Sequence, residues 1–106
     1  MTKEKQLVEL IDALEGEMQE LGLWQQHAPS VEALSSQEPF AIDSLTPLEW
    51  LQWIFVARIR LLLKDNQPLP IGFAMAAYFE ECWKQEQEMN SLLNIIQQID
   101  KVCSDA

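Results

Sequence analysis

The chain has 106 residues, enough for one domain with a buried core and too few for two independent ones, so residues 1–106 are read as a single unit. At 48% hydrophobic and 23% charged, the composition is that of a globular rather than a disordered chain. Seventeen acidic against seven basic side chains give a formal charge of −10, which excludes the basic footprint that nucleic acid or an anionic membrane requires and favours a protein partner with a basic surface.

In chain order, Leu7, Ile11, Leu14, Met18 and Leu21 recur at spacings of four and three, the stripe of a first helix that begins after Thr2. Gly22 ends it, because glycine enters the left-handed cap conformation cheaply and Leu23 can then fold back on the last turn. From Gln25 to Asp43 no period persists, and Pro29, Ser30, Ser35, Ser36 and Pro39 break any element, so a long irregular connection is expected. Its anchors would be Trp24, Val31, Leu34, Phe40 and Ile42. Thr46-Pro47-Leu48-Glu49 has the cap, the first-turn proline and the capping-box glutamate of a helix start. This second helix continues through Leu51, Ile54, Phe55, Ile59 and Leu62 to Lys64-Asp65-Asn66, and Pro68 and Pro70 forbid its extension. Pro70 suits the start of a third helix with Ile71, Met75, Tyr78, Phe79 and Cys82 on its stripe. Met89, Leu92, Ile96, Ile99 and Cys103 define a fourth, with Asn90 or Ser91 as its cap. Four amphipathic helices without a strand pattern predict an all-α fold, a four-helix bundle with a long irregular connection between helices 1 and 2.

Catalytic chemistry leaves almost no trace. The single histidine, His27, stands alone in the irregular connection, and Gly16, Gly22 and Gly72 are too scattered for a phosphate-binding loop. Glu80 and Glu81 are adjacent on a helix and point about 100° apart, unlike a catalytic carboxylate pair. Cys82 and Cys103 lack the spacing of a zinc site or redox dithiol and are read as buried small hydrophobes of a reducing compartment. No catalytic residue, metal or cofactor is therefore expected, and the chain is read as not an enzyme. Met1 to Lys5 runs into a pattern interrupted by Glu9, Asp12 and Glu15, unlike a signal peptide, and the apolar run Trp53 to Leu63 is broken by Arg58 and Arg60. A cytoplasmic location follows as the expectation.

Binding surfaces are the remaining source of function, and they concentrate on the second helix. At about 100° per residue, Glu49, Gln52, Val56 and Arg60 share a stripe that is expected to face solvent, with Trp53 within about 40° of its centre and Trp50 near its edge. An exposed Trp50/Trp53 pair would anchor a protein partner; the alternative is that the connection covers both. Arg58 projects toward the opposite side, among Leu51, Ile54, Phe55 and Leu62. A buried cation there needs a carboxylate, for which Asp43, Glu80 and Glu81 are the nearest candidates. Arg58 either pins the connection by an ion pair or faces a small-molecule or peptide ligand in a cleft with Phe40 and Tyr78. Surplus apolar surface on the same helix also brings a homodimer into consideration.

The segments Gln37-Glu38-Pro39-Phe40, Asp43, Pro47-Leu48-Glu49-Trp50-Leu51-Gln52-Trp53, Arg58, Pro68-Leu69-Pro70, Phe73-Ala74 and Tyr78 resemble the YqcC-like family of small bacterial proteins. The resemblance covers roughly residues 37–81 and implies a compact four-helix bundle. The family often has proline where this chain has Ala57 and Ala77, so helices 2 and 3 are expected to run straighter here. The family is labelled tRNA pseudouridine synthase C by association, because its members are commonly encoded beside that synthase. The resemblance thus implies an association with an RNA-modifying enzyme. The known synthases have a larger mixed α/β fold and a basic surface for tRNA, so activity as the synthase itself is the least favoured reading.

Overall fold

A computed structural model describes residues 2–70 and 72–104, so Ile71, expected on the third stripe, lies outside the described residues. Five α-helices form among them: α1 (Lys3–Glu20), α2 (Val31–Leu34), α3 (residues 47–64), α4 (Ala76–Cys82) and α5 (Asn90–Cys103). No strand accompanies them among the described residues. The four longer helices supply one continuous core, so the all-α bundle expected from the periodicities is the fold observed.

α1 and α5 pack along one another and are the most regular part of the bundle. The Thr2 hydroxyl accepts from the Lys5 N–H at 3.1 Å and opens α1. At its end the Leu23 N–H donates to the Met18 carbonyl at 2.8 Å and the Gly22 N–H to that of Gln19 at 3.1 Å. That pair of bonds is a Schellman motif, and it requires the left-handed φ of 73° that Gly22 adopts. Leu7, Ile11, Leu14 and Met18 of α1, and Leu92, Ile96, Ile99 and Cys103 of α5, are fully buried. Each such Leu or Ile contributes roughly 1.5–3 kcal/mol. The expected cap of α5 is not found: neither Asn90 nor Ser91 caps it, and the Ser91 hydroxyl instead donates to Glu17 of α1 at 2.6 Å. A short 3₁₀ turn, Gln87–Met89, supplies the break that no glycine or proline marks.

α3 begins with the capping box read from the sequence: Thr46 accepts from the Glu49 N–H at 3.2 Å, and Glu49 accepts from the Thr46 N–H at 2.9 Å. Its middle, Trp50–Val56, is wound as a π-helix, between α-helical Pro47–Glu49 and Ala57–Lys64. The regularity expected from Ala57 is therefore absent immediately before it. A π segment turns less than 100° per residue, so a projection at uniform pitch misplaces the faces on either side. The buried stripe is Leu51, Gln52, Phe55, Val56 and Ile59. Gln52 and Val56, expected at solvent, are covered, whereas Arg58, expected inside, is exposed.

The connection after α1 is more ordered than its composition suggests. Ser30 caps the single turn α2, and Pro39–Ala41 forms a 3₁₀ turn. Of the expected anchors, Trp24 and Phe40 pack on the core, but Val31 and Ile42 are 79% and 66% exposed. Ala41 and Leu45 are buried in their place. α4 does not start at Pro70. Residues 72–75 form a connector held to the end of α5 by a 2.7 Å bond from the Gly72 N–H to the Cys103 carbonyl. The Asp100 carboxylate of α5 accepts from the Met75 N–H at 2.9 Å and the Ala76 N–H at 2.8 Å, capping α4 from another helix. A cap supplied from 24 residues away leaves no local signature.

Candidate functional site

Phe40 organises the first face. It and Ala41 both have positive φ, 56° and 47°, a region in which a residue with a side chain is strained. The turn is held by Ala41 N–H to the Glu38 carbonyl at 2.9 Å and Leu45 N–H to that of Ala41 at 2.8 Å. Ser44 donates to the Ala33 carbonyl at 2.7 Å, and Ser36 donates to the Asp43 carboxylate. Asp43 is thereby engaged within the connection, on an exposed turn, and is not the partner of Arg58.

The strained turn delivers the Phe40 ring onto Tyr78, stacked at 4.1 Å with 10° between the planes, and against Trp50 at 4.7 Å. Trp50 continues to Phe55 at 6.0 Å, which meets Phe73 edge to face at 5.9 Å. Burial pushes the Tyr78 hydroxyl pKa upward, helped by a hydrogen bond with Cys82 and the charge that thiol can carry. Beside this aromatic wall lies an open cavity of about 560 Å³ lined by Phe40, Trp50, Phe55, Ile59, Phe73 and the Pro68-Leu69-Pro70 lip, with Arg58 at its edge. Among the described residues that line it, Arg58 is the one charged side chain.

Arg58 makes no ion pair among the described residues. The carboxylates expected to meet it are occupied elsewhere: Glu80 accepts from Gln97 at 2.9 Å and Glu81 pairs with Lys84 at 2.9 Å. The structural pairing falls to Arg60, which reaches Asp12 and Glu15 of α1 at 3.0 Å each. Burial works against the Arg60 charge, yet its bonds to Glu15 and Asp12 outweigh that and hold its pKa above the ordinary value.

Trp53 does not join Trp50. It lies on the other side of α3, where its indole N–H donates to the Gln25 side chain at 2.8 Å. Gln52, 4% exposed, accepts from the Gln25 N–H at 2.8 Å and donates to the Gln25 carbonyl at 2.9 Å. These residues, with Trp24, Glu15 and Arg60, line a second cavity of about 360 Å³. Of the residues singled out in the sequence, the structure thus gathers Phe40, Trp50, Arg58 and Tyr78 on one side of the bundle and leaves Trp53 and Asp43 apart. It adds Phe73, named in the sequence only within the family resemblance, and the proline lip, where Pro68 and Pro70 read as a helix stop and Pro70 as a helix start. Two prolines one residue apart, ahead of an aromatic, were the available signal, since Pro-x-Pro fixes an extended wall as readily as it ends a helix.

No group of three His, Cys, Asp or Glu side chains is placed to hold a metal ion among the described residues. No described helix is long and apolar enough to cross a membrane. Cys103 is buried, as expected, but Cys82 is exposed, because α4 turns its last residue outward; both thiols are free.

The fold is thus an all-α helical bundle with an aromatic groove whose described lining includes one charged side chain, the unpaired Arg58. The chain belongs to the family DUF446, described as tRNA pseudouridine synthase C, which matches residues 6–102. It is 37% identical over 95 residues to an uncharacterised protein of Haemophilus influenzae, covering 90% of each chain. It is also 34% identical over 88 residues to a tRNA pseudouridine synthase C of Pectobacterium carotovorum, covering 83% of this chain but 23% of that protein. The solution NMR structure of YqcC from Escherichia coli superimposes with a TM-score of 0.86 at 32% identity, covering 99% of this chain and 91% of that one.

Proposed function

We propose that this chain is a non-catalytic accessory protein of a tRNA-modifying enzyme, a pseudouridine synthase, which it engages through its acidic surface. The observation that carries this reading is the Pectobacterium relative. There a stretch resembling this chain fills 23% of a protein named as the synthase, so more than three quarters of that protein lies outside the resemblance. Two units joined in one chain are held at high effective concentration, an arrangement that suits partners which work together.

The chemistry of this chain fits the accessory role. A charge of −10 repels the tRNA backbone but attracts and steers a basic, tRNA-binding protein. Exposed acids including Glu80, Glu81, Glu86 and Glu88 crowd the corner between α4 and α5. A cytoplasmic setting suits two free cysteines. The test is capture of the purified synthase of the same bacterium on the immobilised chain, over a range of salt. Retention at low salt that weakens as salt screens the acids, and weakens again with the Glu80→Gln/Glu86→Gln/Glu88→Gln variant, supports the proposal. No retention at any salt ends it.

A further inference from the structure

The groove beside Arg58 is unlike the rest of the surface. In a chain with seventeen acidic residues, the described residues that line this cavity include no Asp or Glu and a single Arg. Its guanidinium is exposed and without an ion pair among the described residues, whereas the neighbouring Arg60 has two carboxylates at 3.0 Å. An arginine fork matches a carboxylate in two parallel hydrogen bonds. The walls are apolar and stiff: Trp50, Phe55 and Phe73 interlock, and Pro68 and Pro70 have fixed φ and no N–H to satisfy. A strained turn holds Phe40 at one end, so the shape is set before any ligand arrives. The volume, about 560 Å³, lies within the range of small-molecule sites.

We propose that the cavity lined by α3, the Pro68-Leu69-Pro70 lip and the 72–75 connector binds a small apolar monocarboxylate, its chain or ring against Trp50, Phe55 and Phe73 and its carboxylate on Arg58. The occupant is opposite in sign to the basic partner expected at the acidic corner, so this site is separate from that interface and stands whether or not the synthase binds. Phosphorylated or multiply charged ligands are disfavoured, because one cation serves the site and the net charge of −10 repels the surplus.

The isolated chain is titrated with decanoate and with its neutral counterpart decanamide, followed by calorimetry and by tryptophan fluorescence. Decanoate binds, and decanamide binds about tenfold more weakly or worse, as expected for loss of a charge-assisted pair. Arg58→Gln, an exposed change that leaves the fold intact by circular dichroism, brings decanoate down to the decanamide level. Ala74 also lines the cavity, and Ala74→Phe, which adds a ring to that lining, is expected to weaken binding of both. Equal affinity for the two probes, decanoate binding unchanged by Arg58→Gln or by Ala74→Phe, or no binding of decanoate at all overturns the proposal.

Discussion

Gln52 grips the backbone of Gln25 at both ends, accepting from its N–H at 2.8 Å and donating to its carbonyl at 2.9 Å. The amide thus substitutes for a strand partner and fastens the chain leaving α1 across α3. Gln52→Leu keeps the volume but leaves both backbone groups unpaired, and each such group costs about 1–3 kcal/mol when water cannot replace the bond. Both bonds are only part-buried, so water replaces some of each, and a total loss of roughly 1–3 kcal/mol in urea denaturation is expected, together with a change in the fluorescence of Trp53, whose indole bonds to the same Gln25.

Asp100 is the second long-range clamp, and its removal acts at a distance. Asp100→Ala deprives Met75 and Ala76 of their acceptor, so about 0.5–2 kcal/mol of stability goes with the cap. Hydrogen exchange should localise the effect: the first-turn amides of α4 lose protection while those of α1 do not. Equal loss in both helices would mean that the cap does not act locally.

Ala41 sits at a φ of 47°, where a side chain costs roughly 1–2 kcal/mol and glycine does not. Ala41→Gly trades that relief against the lost methyl and a freer unfolded chain, and a net change within about 0.5 kcal/mol is expected. Ala77→Gly, an exposed change inside α4, should cost about 1 kcal/mol. Urea denaturation of the two variants checks the contrast.

Burial pushes the Cys103 thiol pKa up; Lys3 opposes this and Asp100 adds to it. The folded chain keeps the thiol proton after the unfolded chain has released its own. That contribution is complete below the unfolded thiol value of about 8.5 and is lost as pH rises through the folded value. Stability should fall as pH rises above about 8.5, and Cys103→Ala should flatten that slope. In the native protein a thiol reagent should modify exposed Cys82 promptly and reach buried Cys103 only upon unfolding.

The helices with their own local signals were legible in the sequence. α1 and α5 have unbroken three-four stripes, and Thr46 to Glu49 spells out a capping box that forms as written. What escaped depends on partners distant in the chain. The Asp100 cap moved the start of α4 from Pro70 to Ala76. The π turn from Trp50 to Val56 carries no residue signal, and the uniform pitch assumed across it placed Arg58 inside and Gln52 outside, the reverse of what is found. The aromatic group of Phe40, Trp50 and Tyr78 was named residue by residue, yet a single Trp50/Trp53 patch was not formed, since those rings lie on different sides of α3.

If the chain assists a pseudouridine synthase without catalysing the reaction, as proposed, pseudouridine formation on tRNA will show it. Three reactions are compared: the chain alone, the synthase of the same bacterium alone, and the two at equal concentration. The expected result is no turnover by the chain alone and a changed kcat/KM for the synthase when the chain is added, reversed by raised salt. Turnover by the chain alone, or a synthase indifferent to its presence, would contradict it.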